Sequence, residues 1–388
     1  MTGSSPTEPG IPVSSATGMP FVAGELLFSS TTRWRLSMIA KGYAASEVGG
    51  SMIGWTFDRR KPRPEDVEID ILYCGVCHSD LHHARNDWQN TVYPVVPGQE
   101  IIGRVLAVGG SVRKFRPGDI VAVGPIVDAC LECAHCAAGE EQYCLNRPTL
   151  TYNSRDRVSG EVTYGGYSTG IVVSEEFVIR LPQGLAVNRA APLLCAGIAG
   201  WSPLRRWEIG AGSRVGIVGL GGVGHIAVKL AVALGAQVTV ITSSPTKIED
   251  ARKLGATNVV LISDEQAMAD ASGHLDYILD TIPVPHDLSI YLDLLSLEGS
   301  LVIIGSLGSH GTIRPESLLR GRKQISVSIV GGIAETIELL KFCAERQILP
   351  DTETIAMQDI NMAFARMEHR DIKYRFVIDM ATLKAEIA

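Results

Sequence analysis

The spacing of apolar residues changes character along this chain. From Ile39 to about Pro182 it runs in short alternating segments broken by Gly and Pro: VEIDILY, IIGRVLAVG, DIVAVG, YSTGIVV and EFVIRLP. Alternation of this kind predicts half-buried strands of an irregular β-rich domain. Near Arg214 the units lengthen. RVGIVG reads as a buried strand and HIAVKLAVALGA as a helix closed by Gly235. QVTVIT, NVVLI, LDYILDT and SLVIIG read as further strands, with IEDARKLGA and IYLDLLSLEG as helices between them, as far as Ile329. Strands alternating with helices in this way predict a parallel, doubly wound α/β sheet. Beyond Ala334, ETIELLKFCAERQ predicts another helix and YRFVIDM a final strand. The first 37 residues are different text, rich in Ser, Thr, Pro and Gly, and are expected to be a disordered extension. They lack a basic stretch followed by an apolar run, so they do not read as a secretory leader, and Glu8 and Glu25 argue against a transit peptide.

Length adds a domain count. At 388 residues, and roughly 150 per domain, two or three domains are expected. With 46% hydrophobic and 20% charged residues the chain has the balance of a globular protein, not of a disordered or collagen-like one. The 35 basic residues are outnumbered by 42 acidic ones, which argues against a basic nucleic-acid-binding face. No apolar stretch approaches the ~18 residues of a membrane span. Eight cysteines are too few for a disulfide scaffold in a chain this long, and their clustering points to metal in a reducing cytoplasm.

Gly219-Leu220-Gly221-Gly222-Val223-Gly224 fits G-x-G-x-x-G. Because it follows a predicted strand and opens a predicted helix, it reads as a dinucleotide-binding turn. Gly219 permits the tight turn, Gly221 lets backbone approach a pyrophosphate, and Gly224 lets helix pack on sheet. The helix start presents free N–H groups to the anion. The end of the next strand selects the cofactor. An NAD site places a carboxylate there, whereas here Thr242, Ser243, Ser244, Pro245, Thr246 and Lys247 precede the first acid, Glu249. Hydroxyls and an ammonium suit a 2′-phosphate, so NADP(H) is favoured; the competing reading makes Lys247 a solvated helix-start residue.

Cys130, Cys133, Cys136 and Cys144 fall within one loop. Four thiolates match a closed, tetrahedral structural zinc. A ferredoxin cluster would want closer spacing before its fourth cysteine and a proline after it, and disulfides do not suit the compartment. His135 is expected to be a bystander.

A second constellation comprises CGVCHSDLH (Cys74 to His82), Pro97-Gly98-Gln99-Glu100 and PLLCAG around Cys195. With these motifs, NDW, YPVVPG, QYC, TYN, GGYS, SSPTK and YRFVID, residues 38 to 388 resemble the zinc-dependent medium-chain alcohol dehydrogenases, most closely their cinnamyl alcohol dehydrogenase-like branch. The resemblance implies a GroES-like catalytic domain split around a Rossmann domain: residues 38–190 and 332–388 for the former, 191–331 for the latter. It implies a catalytic zinc held by Cys77, Gln99 or Glu100, and Cys195. It also implies a proton relay from Ser79 to His82, with Asp80 orienting a ligand. Trp88 and Tyr152 would line the substrate pocket. Homodimers are common in the family, and the strand ISVSIVGG, read as buried, is a candidate for pairing across such an interface. Cys74 and Cys343 are expected in the core, His83 in solvent, and His225 at the helix start.

One position departs from the family's pattern. The motif Pro-Gly-His-Glu is here Pro-Gly-Gln-Glu, and a carboxamide is a poorer donor than imidazole for a metal that prefers nitrogen and sulfur. A loosely held catalytic zinc is therefore expected, beside an intact nucleotide site and structural zinc. The leading reading is an NADP(H)-dependent dehydrogenase or aldehyde reductase for primary, allylic or aromatic substrates. The alternatives are a zinc-free NADPH-dependent enoyl reductase and a catalytically weak NADPH-binding protein.

Overall fold

The computed structural model describes residues 38–305, 313–369 and 371–386. The expected disordered extension lies outside them. In the first half, Asp66–Gly75 is the central strand of a seven-stranded sheet. It pairs antiparallel with Ile101–Val108, with Gly170–Ser174 near its start, and with Arg375–Asp379 near its end. The last described strand thus joins a sheet begun some three hundred residues earlier. The segment EFVIRLP contributes less than expected: a 3-10 turn, Glu175–Phe177, leaves only Ile179–Arg180 as strand.

The second half forms a six-stranded parallel sheet. Its spatial order is Asn258–Leu261, Gln237–Thr242, Arg214–Val218, Leu275–Asp280, Leu295–Ile303 and Gln324–Val327. Helix Gly224–Ala233 connects the third of these to the second. This order reverses direction at Arg214–Val218, which opens a crevice beyond the carboxyl ends of the central strands. Two expectations fail here. The helix read in IYLDLLSLEG is a single turn, Ser289–Leu292, and a strand already begins at Leu295. Leu292, Leu294 and Leu295 are buried while Leu297 is 66% exposed, so the run enters a strand instead of covering one helix face. ISVSIVGG is only partly buried within the chain: Ser328 and Val330 are buried, but Gln324–Val327 is the sheet edge among the described residues, with Val327 57% exposed.

Helix Ala196–Arg206 packs against both Gly224–Ala233 and Ile333–Arg346, the latter through Trp201 and Phe342 with ring centroids 4.7 Å apart. A continuous apolar core runs from the first sheet to these helices, and a second cluster fills the opposite face of the parallel sheet. Cys74 and Cys343 lie inside the core, as expected. None of the described helices is long and apolar enough to cross a membrane.

Candidate active site

The glycine turn joins strand Arg214–Val218 to helix Gly224–Ala233. Gly219 has φ +87°, and a Cβ on Gly224 would overlap the Gly219 carbonyl oxygen, so both positions demand glycine. At Gly221 a Cβ would meet nothing within 4 Å. That emptiness is a cleft of about 520 Å³, lined by Gly219, Gly221, Gly222, Ser243, Ser244, Lys247, His78 and His82 among others. Val223 is the N-cap residue of helix Gly224–Ala233, and neither it nor Gly224 is among the cleft-lining residues. At the strand end Ser244 Oγ lies 2.8 Å from Thr246 Oγ1, and Lys247 Nζ stands 4.6 Å above the Tyr374 ring. Burial lowers the Lys247 pKa. The nearby Asp250 is engaged by Lys373 at 2.9 Å, and this contact holds its carboxyl below the usual range. Hydroxyls and an ammonium, with no free carboxylate beside them, fit a ribose 2′-phosphate; open backbone at a helix start fits a pyrophosphate.

Next to the cleft-lining Val76 and His78, Cys77 is the N-cap residue of helix His78–Arg85, and Cys195 is that of helix Ala196–Arg206. Their sulfurs are 3.9 Å apart, and with a Glu100 oxygen they form a set within 4.8 Å. Two sulfurs on a tetrahedral zinc are separated by about 3.8 Å, given Zn–S near 2.3 Å, so the thiol spacing fits the ion. A hydrogen bond from Cys195 holds the Cys77 thiol well below its usual pKa, and the Cys195 thiol is pushed up in turn.

Gln99 and Glu100 complete the set differently. Gln99 Nε2 donates to Ser79 Oγ at 2.8 Å and to Cys195 Sγ at 3.3 Å. The nitrogen can only donate, so only its carboxamide oxygen could serve a metal. Glu100 is fully buried, and Arg375 Nη2 donates to its two oxygens at 2.5 and 2.6 Å and to Val76 O at 2.8 Å. Burial pushes the Glu100 carboxyl up to about 8 although Arg375 opposes the shift.

Asp80 is not among the residues lining the cleft, and its backbone N–H donates to the Cys77 side chain. It accepts from Cys77 N at 2.8 Å, Gly98 N at 3.1 Å and Tyr167 Oη at 2.9 Å, so it fixes the two turns that carry Cys77 and Gln99. Burial raises its carboxyl to about 7. His82 lines the cleft, with Nδ1 2.8 Å from Asp87 Oδ2. Trp88 lies against His82 and His83, with ring centroids 5.1 and 4.8 Å away. Tyr152 is buried beside His83. His83, expected in solvent, is a correction: it is buried between Thr91 and Asn153, and burial lowers its pKa to about 4. Arg375 and Tyr167 were not singled out from the sequence. A charged residue inside the apolar strand YRFVIDM was the available signal for the first.

The four-cysteine lobe closes on itself. Its sulfurs all lie within 4.8 Å of one another, with Cys130 Sγ 3.9 Å from Cys136 Sγ and 3.5 Å from Cys144 Sγ. This set fits a tetrahedral zinc. His135 stands outside it, its Nδ1 2.6 Å from Tyr143 O.

A nucleotide crevice facing a two-thiol cleft, with a separate four-thiol lobe, defines a medium-chain dehydrogenase. Residues 63–183 match the alcohol dehydrogenase GroES-like domain model and residues 222–345 the zinc-binding dehydrogenase model. The chain is 48% identical over 328 residues to aldehyde reductase YahK of Escherichia coli, covering 84% of this chain and 93% of that protein. Its fold matches a cinnamyl alcohol dehydrogenase from Sorghum bicolor with TM-score 0.86 at 40% identity, covering 89% of this chain and 98% of that one. It also matches the CAD from Helicobacter pylori complexed with NADP(H), with TM-score 0.84 at 37% identity, covering 89% and 99%. The chain belongs to the zinc-binding alcohol dehydrogenase family.

Proposed function

We propose that this chain interconverts primary allylic or aromatic alcohols and their aldehydes with NADP(H). The observation that carries this reading is the joining, in one cleft, of the open Gly221 backbone, the Ser243, Ser244 and Lys247 cluster, and His82. Ser243, Ser244 and Lys247 hold the 2′-phosphate, while Gly221, Gly222 and the helix start hold the pyrophosphate. Cys77 and Cys195, with Gln99 or Glu100, would hold a zinc ion. When bound, zinc supplies Lewis-acid polarisation of the substrate oxygen and the nicotinamide supplies the hydride. The Ser79 hydroxyl exchanges a proton with the substrate oxygen, and His82, anchored by Asp87, passes it to solvent. Trp88, packed on the cleft-lining His82, favours flat, apolar substrates, with Tyr152 buried beside His83. Residues 38–190 and 332–388 serve as the catalytic domain and 191–331 as the nucleotide domain. The exposed edge Gln324–Val327 pairs with a second copy in a cytoplasmic homodimer.

The cofactor assignment is tested by kcat/KM with each nicotinamide. NADPH should exceed NADH, and Ser243→Asp should reverse the order by placing a carboxylate against the 2′-phosphate, a like-charge contact that costs several kcal/mol. Equal use of NADH by the unaltered protein contradicts it. A second reading, a catalytically weak NADPH-binding protein, is favoured by one observation: Gln99 directs its donor nitrogen at Cys195.

A further inference from the structure

The four-cysteine lobe reaches beyond its own cluster. Between Cys136 and Cys144, Gly139 and Glu141 press on the segment that leaves the parallel sheet. Glu141 Oε2 accepts a hydrogen bond from the Ile333 backbone N–H at 3.0 Å. This is the first turn of helix Ile333–Arg346, whose N-cap, Gly332, brings no side chain of its own. A carboxylate there satisfies an otherwise unpaired donor and faces the positive end of the helix. Glu141 is only 9% exposed, so the contact is largely shielded from water. A Cβ on Gly332 would overlap both the Gly139 carbonyl oxygen and Glu141 Oε2, so lobe and helix meet in backbone contact that only glycine allows.

Packing continues from there without a break. Phe342 of that helix packs on Trp201 of helix Ala196–Arg206, which Cys195 caps. At Gly200 the latter helix approaches Gly224–Ala233 so closely that a Cβ would stand 3.3 Å from Ala227 Cβ. One end of this stack is the lobe; the other end carries a cleft thiol and the glycine turn.

We propose that Glu141 is a positioning residue through which the lobe sets the Cys195 helix and the glycine turn in register across the cleft. It touches no part of the cleft itself. The inference rests on the reading of that cleft as the cofactor site only for its binding readout.

The test uses full-length protein with Glu141→Asp, which keeps the charge but loses reach, and Glu141→Gln, which keeps an acceptor at the same reach. Gly332→Ala separates the same surfaces without altering Glu141. Hydrogen exchange is followed by mass spectrometry, with no cofactor needed. In Glu141→Asp and Gly332→Ala, exchange should rise about fivefold or more across residues 196–206 and 219–228, and Glu141→Gln should stay near the parent. The NADPH dissociation constant, read by tryptophan fluorescence, should weaken about fivefold or more in the first two variants, with lobe zinc retained. Faster exchange confined to the lobe and residues 333–336 would overturn the proposal, as would Glu141→Gln behaving like Glu141→Asp. A parent protein that does not bind NADPH would contradict the cofactor reading, and the exchange result would still decide the role of Glu141.

Discussion

The lobe and the cleft both hold closely spaced thiols, with sulfurs 3.5 and 3.9 Å from Cys130 Sγ in one and 3.9 Å apart in the other, and differ in what completes each set. All four donor groups of the lobe are thiols from one short loop. The cleft takes its two thiols from positions 118 apart in sequence and adds an amide that donates and a carboxylate engaged by Arg375. A closed all-thiolate set makes metal binding part of folding, whereas an open mixed set trades affinity for access. The two sites should therefore lose metal under very different conditions.

The largest effect is expected in the lobe. Cys133→Ser removes one of four sulfurs and should cost at least ~3 kcal/mol of stability, part of the roughly 10–16 kcal/mol that structural zinc can contribute. Metal analysis and a melting curve check this; a variant as stable and active as the parent would dissolve the contrast. In the cleft, Ser79→Ala should lower kcat about 10²-fold by removing the proton donor, with NADPH binding and melting temperature unchanged. Loss of stability without loss of kcat would make Ser79 a packing residue.

A smaller effect comes from His225, which ties the glycine turn to the tail. Its Nδ1 donates to Gly221 O at 3.1 Å, its Nε2 accepts from Asp351 N at 3.2 Å, and its ring stacks on Tyr374 at 4.5 Å. Burial lowers its pKa to about 3. Below about 6.5 the unfolded imidazole binds a proton that the folded one refuses until about pH 3, so stability falls as pH falls through that window. The slope is about 1.4 kcal/mol per pH unit for this group. Denaturant midpoints at several pH values should fall less steeply in His225→Gln, and an unchanged slope would exclude His225 as the cause.

How much of this was legible follows from how local each signal is. The glycine turn, the four-cysteine loop and Lys247 declare themselves within a few residues, and the parallel sheet declares itself by period. Gln99 is visible as a departure in a motif, but its contact with Ser79 is not. The Arg375–Glu100 pair spans 275 positions and the Glu141–Ile333 contact 192, and no periodicity carries such pairings. The leucines of IYLDLLSLEG misled because a buried apolar run suits helix and strand equally. His83 misled because three histidines in six residues resemble a solvated face, while Thr91 and Asn153 reach it from loops.

The central claim is that Gln99 makes the cleft a weaker metal site than the lobe. Zinc per chain after dialysis against a chelator of graded strength tests it most directly, for the parent and for Gln99→His. The parent ratio should lie near one, set by the lobe, and rise toward two in Gln99→His as cleft affinity and kcat increase by about 10–100-fold. Two tightly held zinc ions in the parent, with neither quantity changed by Gln99→His, would contradict it.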